Sequence, residues 1–294
     1  MGKMLKALLC DGEVSITMLK STDIVAKAIG LFNLSPVAAA ALGRTLTMTS
    51  LLANDLKNAD DKMTVIINGN GEIGALTVTA TNNGKVKGFV GNPQVQTFST
   101  KNGKLDVAKA VGVDGKITVI KNLGFEQPYI GTGTLVSGEI AEDFANYLAK
   151  SEQVACAVSL GVLIGTSNEC ISAGGAFAQV LPDAKKESIT KIEEVFSEIN
   201  NISSQFNNLT TKEFLYNYFG HLSPNILCEK SWIYKCDCGK RRINRVLKTL
   251  SKKDVDEIIN EEGFIEISCQ FCGKKYLYNK NDAYGVLGIG KESN

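Results

Sequence analysis

The sequence is poor in the residues on which most catalytic and secreted architectures depend. It contains one histidine, His221, which argues against a catalytic triad, a histidine-assisted cysteine nucleophile or a multi-histidine metal site. It has no uninterrupted apolar run of about 18 residues, so no membrane span is expected. The short apolar stretch at the N-terminus is broken by Lys6, which argues against a secretory leader and for a cytoplasmic protein. Charge of either sign is also not in excess. The 32 basic and 31 acidic residues leave a formal charge of +1, so no global field draws the chain to nucleic acid or an anionic membrane, and partners must be argued from local features.

What the sequence does have is cysteine, unevenly placed. Cys10, Cys156 and Cys170 lie far apart, whereas Cys228, Cys236, Cys238, Cys269 and Cys272 fall within 45 residues. Clustering in a chain with no secretion signal points to metal or redox chemistry rather than to a disulfide scaffold. Cys236 and Cys238 form one close pair, and after 30 intervening residues Cys269 and Cys272 form a second. Two pairs of soft thiolate ligands beside Gly239 and Gly273 suit one zinc ion in a closed tetrahedral structural site. Cys228 and His221 are nearby donors that belong to no pair.

At 294 residues and 44% hydrophobic composition, the chain can bury a substantial core in more than one domain. Residues 1–182 read as a large α+β domain that mixes sheet and helix. Val14–Lys20 has strand character, and Ser35–Pro36 has the form of an N-cap and N1 proline opening a helix to about Lys57. Turn signals at 68–71 and 82–84 divide 62–68, 75–80 and 85–90 into an antiparallel meander, with further strands over 116–121 and 130–137. A helix is expected over 139–151, and 154–164 is apolar enough for a strand buried on both faces. Residues 183–225 read as a helical linker. Ile189, Ile192, Val195, Phe196 and Ile199 give it one narrow apolar face, and the polar run 200–208 follows. Sparse large apolar residues over that length imply weak anchoring and a metastable linker, against the alternative of a stable helical connection. Residues 226–294 read as a small C-terminal zinc-binding domain: a helix through Ile243, Val246, Leu247 and Leu250, a second capped at Ser251–Asp254 and ended by Gly263, and two short strands flanking Cys269–Cys272. A fold that small depends on its metal, and thiolates are also the oxidisable form of cysteine.

Two glycine-rich segments imitate phosphate loops. Gly69, Gly71 and Gly74 have the dinucleotide spacing, yet a strand-like run follows where a helix is needed. Gly285–Glu292 approaches a P-loop but has Glu292 in place of the hydroxyl, and it reads as a frayed tail. No ATP site is therefore expected. The basic run Lys240, Arg241, Arg242, Arg245, Lys248, Lys252 and Lys253 is the best argument for nucleic acid, but Asp254, Asp256, Glu257, Glu261 and Glu262 follow at once and offset it.

The chain resembles the 33 kDa chaperonin family, the redox-regulated heat-shock holdases of bacteria. The likeness covers nearly the whole length and rests on Ser35–Pro36 with Ala41–Arg44, Gly84–Gly88, Leu135–Asp143, Ser151–Gln153, Ala173–Gly175, Leu181–Pro182 and the order and spacing of the two cysteine pairs. The resemblance implies a holding chaperone, not an enzyme, that is inactive while zinc is bound by Cys236, Cys238, Cys269 and Cys272. It implies activation when oxidation pairs Cys236 with Cys238 and Cys269 with Cys272, releases zinc and unfolds the linker. It also implies an oxidised homodimer that binds unfolded client proteins without ATP. Two rival readings stay open at this point. A zinc-ribbon nucleic-acid binder would rely on Arg241, Arg242 and Arg245, and a dithiol–disulfide oxidoreductase would use Cys269 and Cys272.

Overall fold

The computed structural model describes residues 1–100, 103–199 and 201–289, which form two compact units, one ending at Lys235 and the other beginning at Cys236. The first unit is built on one large sheet. Its first two strands, β1 (Gly2–Leu9) and β2 (Val14–Lys20), pair antiparallel and are followed by α1 (Thr22–Phe32) and α2 (Pro36–Ala53). The meander β3 (Lys62–Asn68), β4 (Leu76–Thr81) and β5 (Lys85–Val90) follows, then the short α3 (Val107–Val111), β6 (Lys116–Asn122), β7 (Tyr129–Thr134) and α4 (Ile140–Ser151). The strands β8 (Cys156–Ile164) and β9 (Cys170–Val180) form a hairpin, and α5 (Lys186–Glu198), α6 (Ile202–Asn208) and α7 (Thr211–Phe219) lead to β10 (Asn225–Tyr234). Among the described residues the sheet has ten strands in the order β7-β6-β3-β4-β5-β10-β1-β2-β9-β8. Every pairing is antiparallel except β5 with β10, a two-residue parallel junction at Ile233–Lys85 and Tyr234–Val86.

The α+β class is as the sequence indicates, but three strands, β1, β9 and β10, and two helices, α1 and α3, were hidden in it. β1 reads as a broken apolar run because Lys6 interrupts it, yet in a strand alternate residues face opposite ways. Leu5, Ala7 and Leu9 are fully buried on one side, while Lys6 reaches Asp55. β9 is rich in glycine and alanine, and β10 has Cys228, Glu229, Lys230 and Ser231 at its middle, so neither carries a continuous β-branched run. β8 differs in the other direction. It is the edge of the sheet and only partly buried, yet both of its faces are covered: Val158, Leu160 and Val162 pack on the first core, while Ala157 and Gly161 lie against the second core and α6.

α2 is the buried axis of the first core. Its small side chains Ala38–Ala41 and the hydroxyls of Thr45, Thr47 and Ser50 are buried, and each hydroxyl donates to the carbonyl four residues earlier at 2.8 Å. Internal bonding of this kind satisfies these three hydroxyls inside an apolar core, whereas the buried Thr49 Oγ1 of the same helix has no partner among the described residues. The helix ends at Ala53, one turn before the expected limit. Proline stands at its N1 position, but the Ser35 side chain makes no cap bond.

The segment 183–225 is not loosely attached. Ile192, Val195, Ile199, Ile202, Phe206, Phe214, Leu215, Phe219 and Leu222 are buried with Leu5, Ala7, Leu9, Val14, Ile16, Met18, Ala176 and Ala178 in a second core. Two glycines in the sheet make the close approach possible. A Cβ on Gly174 would lie 2.4 Å from the Phe206 ring, and one on Gly161 would lie 2.7 Å from the backbone of Ser203. The sequence alone could not supply these partners, because they come from strands some 30 to 200 residues away. Thr210 and Glu213 close a capping box at the start of α7, and Phe206 stacks on Phe214 at 4.7 Å. Asn200, the first residue of the polar run, lies outside the described residues.

The boundary of the second unit also shifts. Residues 226–235 were grouped with the zinc-binding region, but β10 pairs along β1 from Gly2–Trp232 to Leu8–Asn225 and buries Trp232 completely, so the small unit begins ten residues later. That unit contains α8 (Lys240–Leu247), α9 (Lys252–Glu262), the hairpin β11 (Ile265–Ser268) and β12 (Lys275–Tyr278), and α10 (Lys280–Leu287). α10 overturns the reading of the C-terminal glycine motif as a tail: Gly285 lies inside a helix, and residues 290–294 fall outside the described part. Gly69 and Gly71 are used for a backbone crossing, where a Cβ on either would stand 2.2 Å from a carbonyl oxygen of the loop ending α3.

Replacing Phe206 with Ala should remove about 3–5 kcal/mol of packing from the second core. The expected readout is faster tryptic cleavage at Lys185, Lys186 and Lys191 with α2 still protected. Unchanged cleavage would show that α6 contributes little to holding the segment down.

Candidate metal centre

The small unit has little apolar substance of its own. Its core consists of Ile243, Leu247, Val255, Ile265, Tyr278 and Ala283, with partly buried neighbours such as Leu250 and Ile259. Capping is thorough: Ser251 with Asp254 and Asn279 with Asp282 both form capping boxes, and Gly263 and Gly288 end α9 and α10 in the left-handed conformation. These local devices orient the helices but do not join them.

The four paired cysteines meet between the loop before α8 and the hairpin turn. Cys236 and Cys238 lie on extended chain that runs into α8 at Gly239, itself extended at φ −157°. Cys269 follows β11, and its turn is closed by Cys272 N–H donating to Cys269 O at 3.2 Å and Gly273 N–H to the same oxygen at 2.8 Å. Gly273 has φ +68°, a conformation that favours glycine, and Cys269 N–H then donates to Lys274 O at 3.0 Å. The sulfurs of all four lie within 4.8 Å of one another, with Cys236–Cys269 at 3.6 Å and Cys238–Cys272 at 3.3 Å. A tetrahedral ion with metal–sulfur bonds of about 2.3 Å needs sulfurs about 3.8 Å apart, so the donor set and its spacing fit such an ion. The cluster can hold a metal ion. Cys228 is exposed on β10 and His221 follows α7; both belong to the first unit, and neither joins the group.

Around the sulfurs the structure adds a residue that the cysteine spacing does not disclose. Tyr276 on β12 donates its hydroxyl to Cys238 Sγ at 3.3 Å, linking the hairpin to the opposite ligand loop. The only hint in the sequence is an aromatic residue four places after Cys272, where it reads as strand patterning. Burial acts to raise the Cys238 thiol, but the hydrogen bonds from Tyr276 and the neighbouring thiols outweigh it and bring the pKa down to about 7. Burial pushes Cys236 and Cys272 the other way. In the metal-free unit Cys238 is thus more readily ionised than Cys236 or Cys272. Outside the cluster the picture reverses: burial raises Cys156 to about 11 and Cys170 to about 12, which keeps both as unreactive thiols.

Comparison with known proteins agrees with the architecture from end to end. The family model described as Hsp33 protein matches residues 2–279. The chain belongs to the Hsp33 family. A relative from Clostridioides difficile named 33 kDa chaperonin is 43% identical over 96% of this chain and 97% of its own. Relatives of the same name from Alkaliphilus metalliredigens and Bacillus subtilis are 40% and 39% identical, each over 97% of this chain and 98% of its own. The crystal structure of the 33 kDa chaperonin (heat shock protein 33 homologue) from Thermotoga maritima superposes with a TM-score of 0.90 at 30% identity, covering 98% of each chain. Within that shared Hsp33 frame, two motifs that carried the resemblance touch: Arg44 of α2 pairs with Glu139 at the start of α4, and Asp143 accepts the Val136 and Ser137 amides at 2.7 and 3.1 Å.

Substituting Tyr276 with Phe should weaken metal binding about 10- to 100-fold, the usual cost of a lost partner behind a ligand, while leaving one metal per chain at saturation. Competition against a chromophoric chelator reads this directly, and unchanged affinity would reduce Tyr276 to a packing residue. Replacing Cys269 and Cys272 together with Ser should abolish metal binding and unfold residues 236–289; a retained stoichiometry near one would contradict the four-sulfur site.

Proposed function

We propose that this protein is a redox-regulated, ATP-independent holding chaperone of the cytoplasm, inactive while one zinc ion is bound by Cys236, Cys238, Cys269 and Cys272. Family membership supports the chaperone class, in which the protein binds unfolded clients rather than catalysing a reaction. The observation that carries the finer reading is that one chain holds both a thiolate-bearing unit with a six-residue core and, earlier in the sequence, a segment, α5–α7, that covers an apolar sheet face.

The zinc supplies the missing stability. A structural zinc contributes about 10–16 kcal/mol of apparent binding energy at neutral pH, more than a core of this size yields alone. Oxidation removes the ligands: within each of the pairs Cys236–Cys238 and Cys269–Cys272, two thiolates give two electrons to a peroxide, form a sulfur–sulfur bond and leave water as the reduced product. With its ligands gone the zinc departs and residues 236–289 unfold. The effect passes along the chain, because Cys236 follows β10 directly and β10 is the strand to which α7 leads. Release of α5–α7 then uncovers Leu5, Leu9, Val14, Ile16 and Met18, a face of client-binding character. The oxidised form works as a homodimer, as the family likeness implies. ATP has no part: Gly69 and Gly71 are occupied by a backbone crossing, and Gly285 lies within α10. The cytoplasmic assignment accords with the absence, among the described residues, of any helix long and apolar enough to cross a membrane.

The oxidoreductase reading is less well supported, since Cys269 and Cys272 lie in a turn between two strands and neither thiolate caps a helix. The direct test is suppression of aggregation of a thermally unfolding protein, with zinc release followed in parallel. Reduced, zinc-loaded protein should be inert. Peroxide at moderately raised temperature should release zinc and activity together, and reductant with zinc should reverse both. Activity indifferent to oxidant would make the zinc purely structural and overturn the switch.

A further inference from the structure

The basic run after Cys238 looks neutralised in the sequence, and the structure divides it differently. Arg242 is held by Asp237 at 3.0 and 3.1 Å, and Lys253 pairs with Glu257 at 3.7 Å. Two further acidic residues of α9 are engaged elsewhere as well. Asp254 accepts the Ser251 amide at 2.9 Å, and Asp256 takes the Tyr284 hydroxyl and Lys280 at 3.2 Å. Arg241, Arg245 and Lys248 therefore keep their charge unopposed: among the described residues no carboxylate forms an ion pair with any of them.

These three are on one helical stripe, at positions i, i+4 and i+7 of α8 and its C-cap. With Asn244 they form one wall of a cavity of about 640 Å³, and Gly285 and Val286 of α10 form the other. Asn244 Oδ1 accepts the Tyr278 hydroxyl at 2.7 Å, which leaves its amide nitrogen as the donor end. Helix rise separates the backbone positions of Arg241 and Lys248 by about 10.5 Å and those of Arg241 and Arg245 by about 6 Å. That is a row of donors at the separation of successive phosphates in an extended strand. No aromatic face lines the cavity. The nearby Tyr284 ring is covered by Lys252 at 5.8 Å and Lys280 at 5.4 Å, so nothing is arranged to stack on or read a base.

We propose that the groove between α8 and α10 binds the phosphodiester backbone of single-stranded nucleic acid, without regard to sequence. The site is distinct from the four-sulfur centre and from the sheet face under α5–α7, and it does not depend on the chaperone reading. Arg241 and Arg245 clamp phosphate oxygens through their planar guanidinium groups, Lys248 adds a third charge, and Asn244 contributes a neutral donor.

The test uses the full-length chain, reduced and zinc-loaded, with fluorescence anisotropy of a labelled oligothymidylate. Three phosphate contacts on a single strand give a slope of about −2 in log affinity against log salt, hence about a twenty-fold loss between roughly 50 and roughly 200 mM. R241Q/R245Q/K248Q should lose both binding and slope while keeping its zinc content and circular dichroism. The single reversal R245E should weaken binding in the same way, and R242Q should retain it. No binding at low salt, or equal binding by the triple variant, overturns the proposal. Preferential capture of oligoglutamate or inorganic polyphosphate over the oligonucleotide overturns the assignment to nucleic acid.

Discussion

Strands β1, β2 and β9 carry apolar side chains on both faces, and each face must be kept from water by a different part of the chain. On one side Met4, Leu19 and Phe177 join the core organised by α2; on the other Leu5, Ile16 and Ala176 meet α5–α7. The first cover is a long helix buried along its length. The second is three short helices of 13, 7 and 9 residues, each below the length at which a helix is stable by itself. Its order comes from burial against the sheet, and it belongs to the class of segment that opens first when a neighbour is disturbed.

That asymmetry gives meaning to the small unit after Lys235. Two of its three helices carry capping boxes, its core is slight, and the four sulfurs meet between the loop before α8 and the hairpin, where the Tyr276 and Tyr278 hydroxyls also bridge. On the function proposed above, metal and thiolate chemistry would be a condition for folding in that region. Large buried cores elsewhere in the chain make no such demand, and Cys156 and Cys170, held as thiols by burial, take no part.

The cysteine pairs were legible because ligand spacing is a local property, and so were the capping box at Ser251 and the turn ended by Gly263. The meander β3–β5 was legible for the same reason: alternation and turn residues lie close together in the chain. β9 and β10 were not, because Gly174, Gly175 and the charged residues of β10 become strand-forming only beside β2 and β1. The burial of α5–α7 was not legible because many of its partners are supplied by β1 and β2 at the opposite end of the chain. Tyr276 was invisible as a site residue, since its role is set by the position of Cys238, 38 residues earlier. The basic run was misjudged too: proximity of acids in sequence implied neutralisation, whereas Asp254 caps its own helix and Asp256 faces α10.

The central claim is that the zinc-held unit controls whether α5–α7 stays on the sheet. Amide hydrogen exchange on the full-length protein, compared between the reduced zinc form and the peroxide-oxidised form, tests it most directly. The account predicts that protection is lost across 236–289 and across α5–α7 together, while α2 and the meander β3–β5 remain protected. Loss confined to 236–289, with α5–α7 still protected, would contradict it.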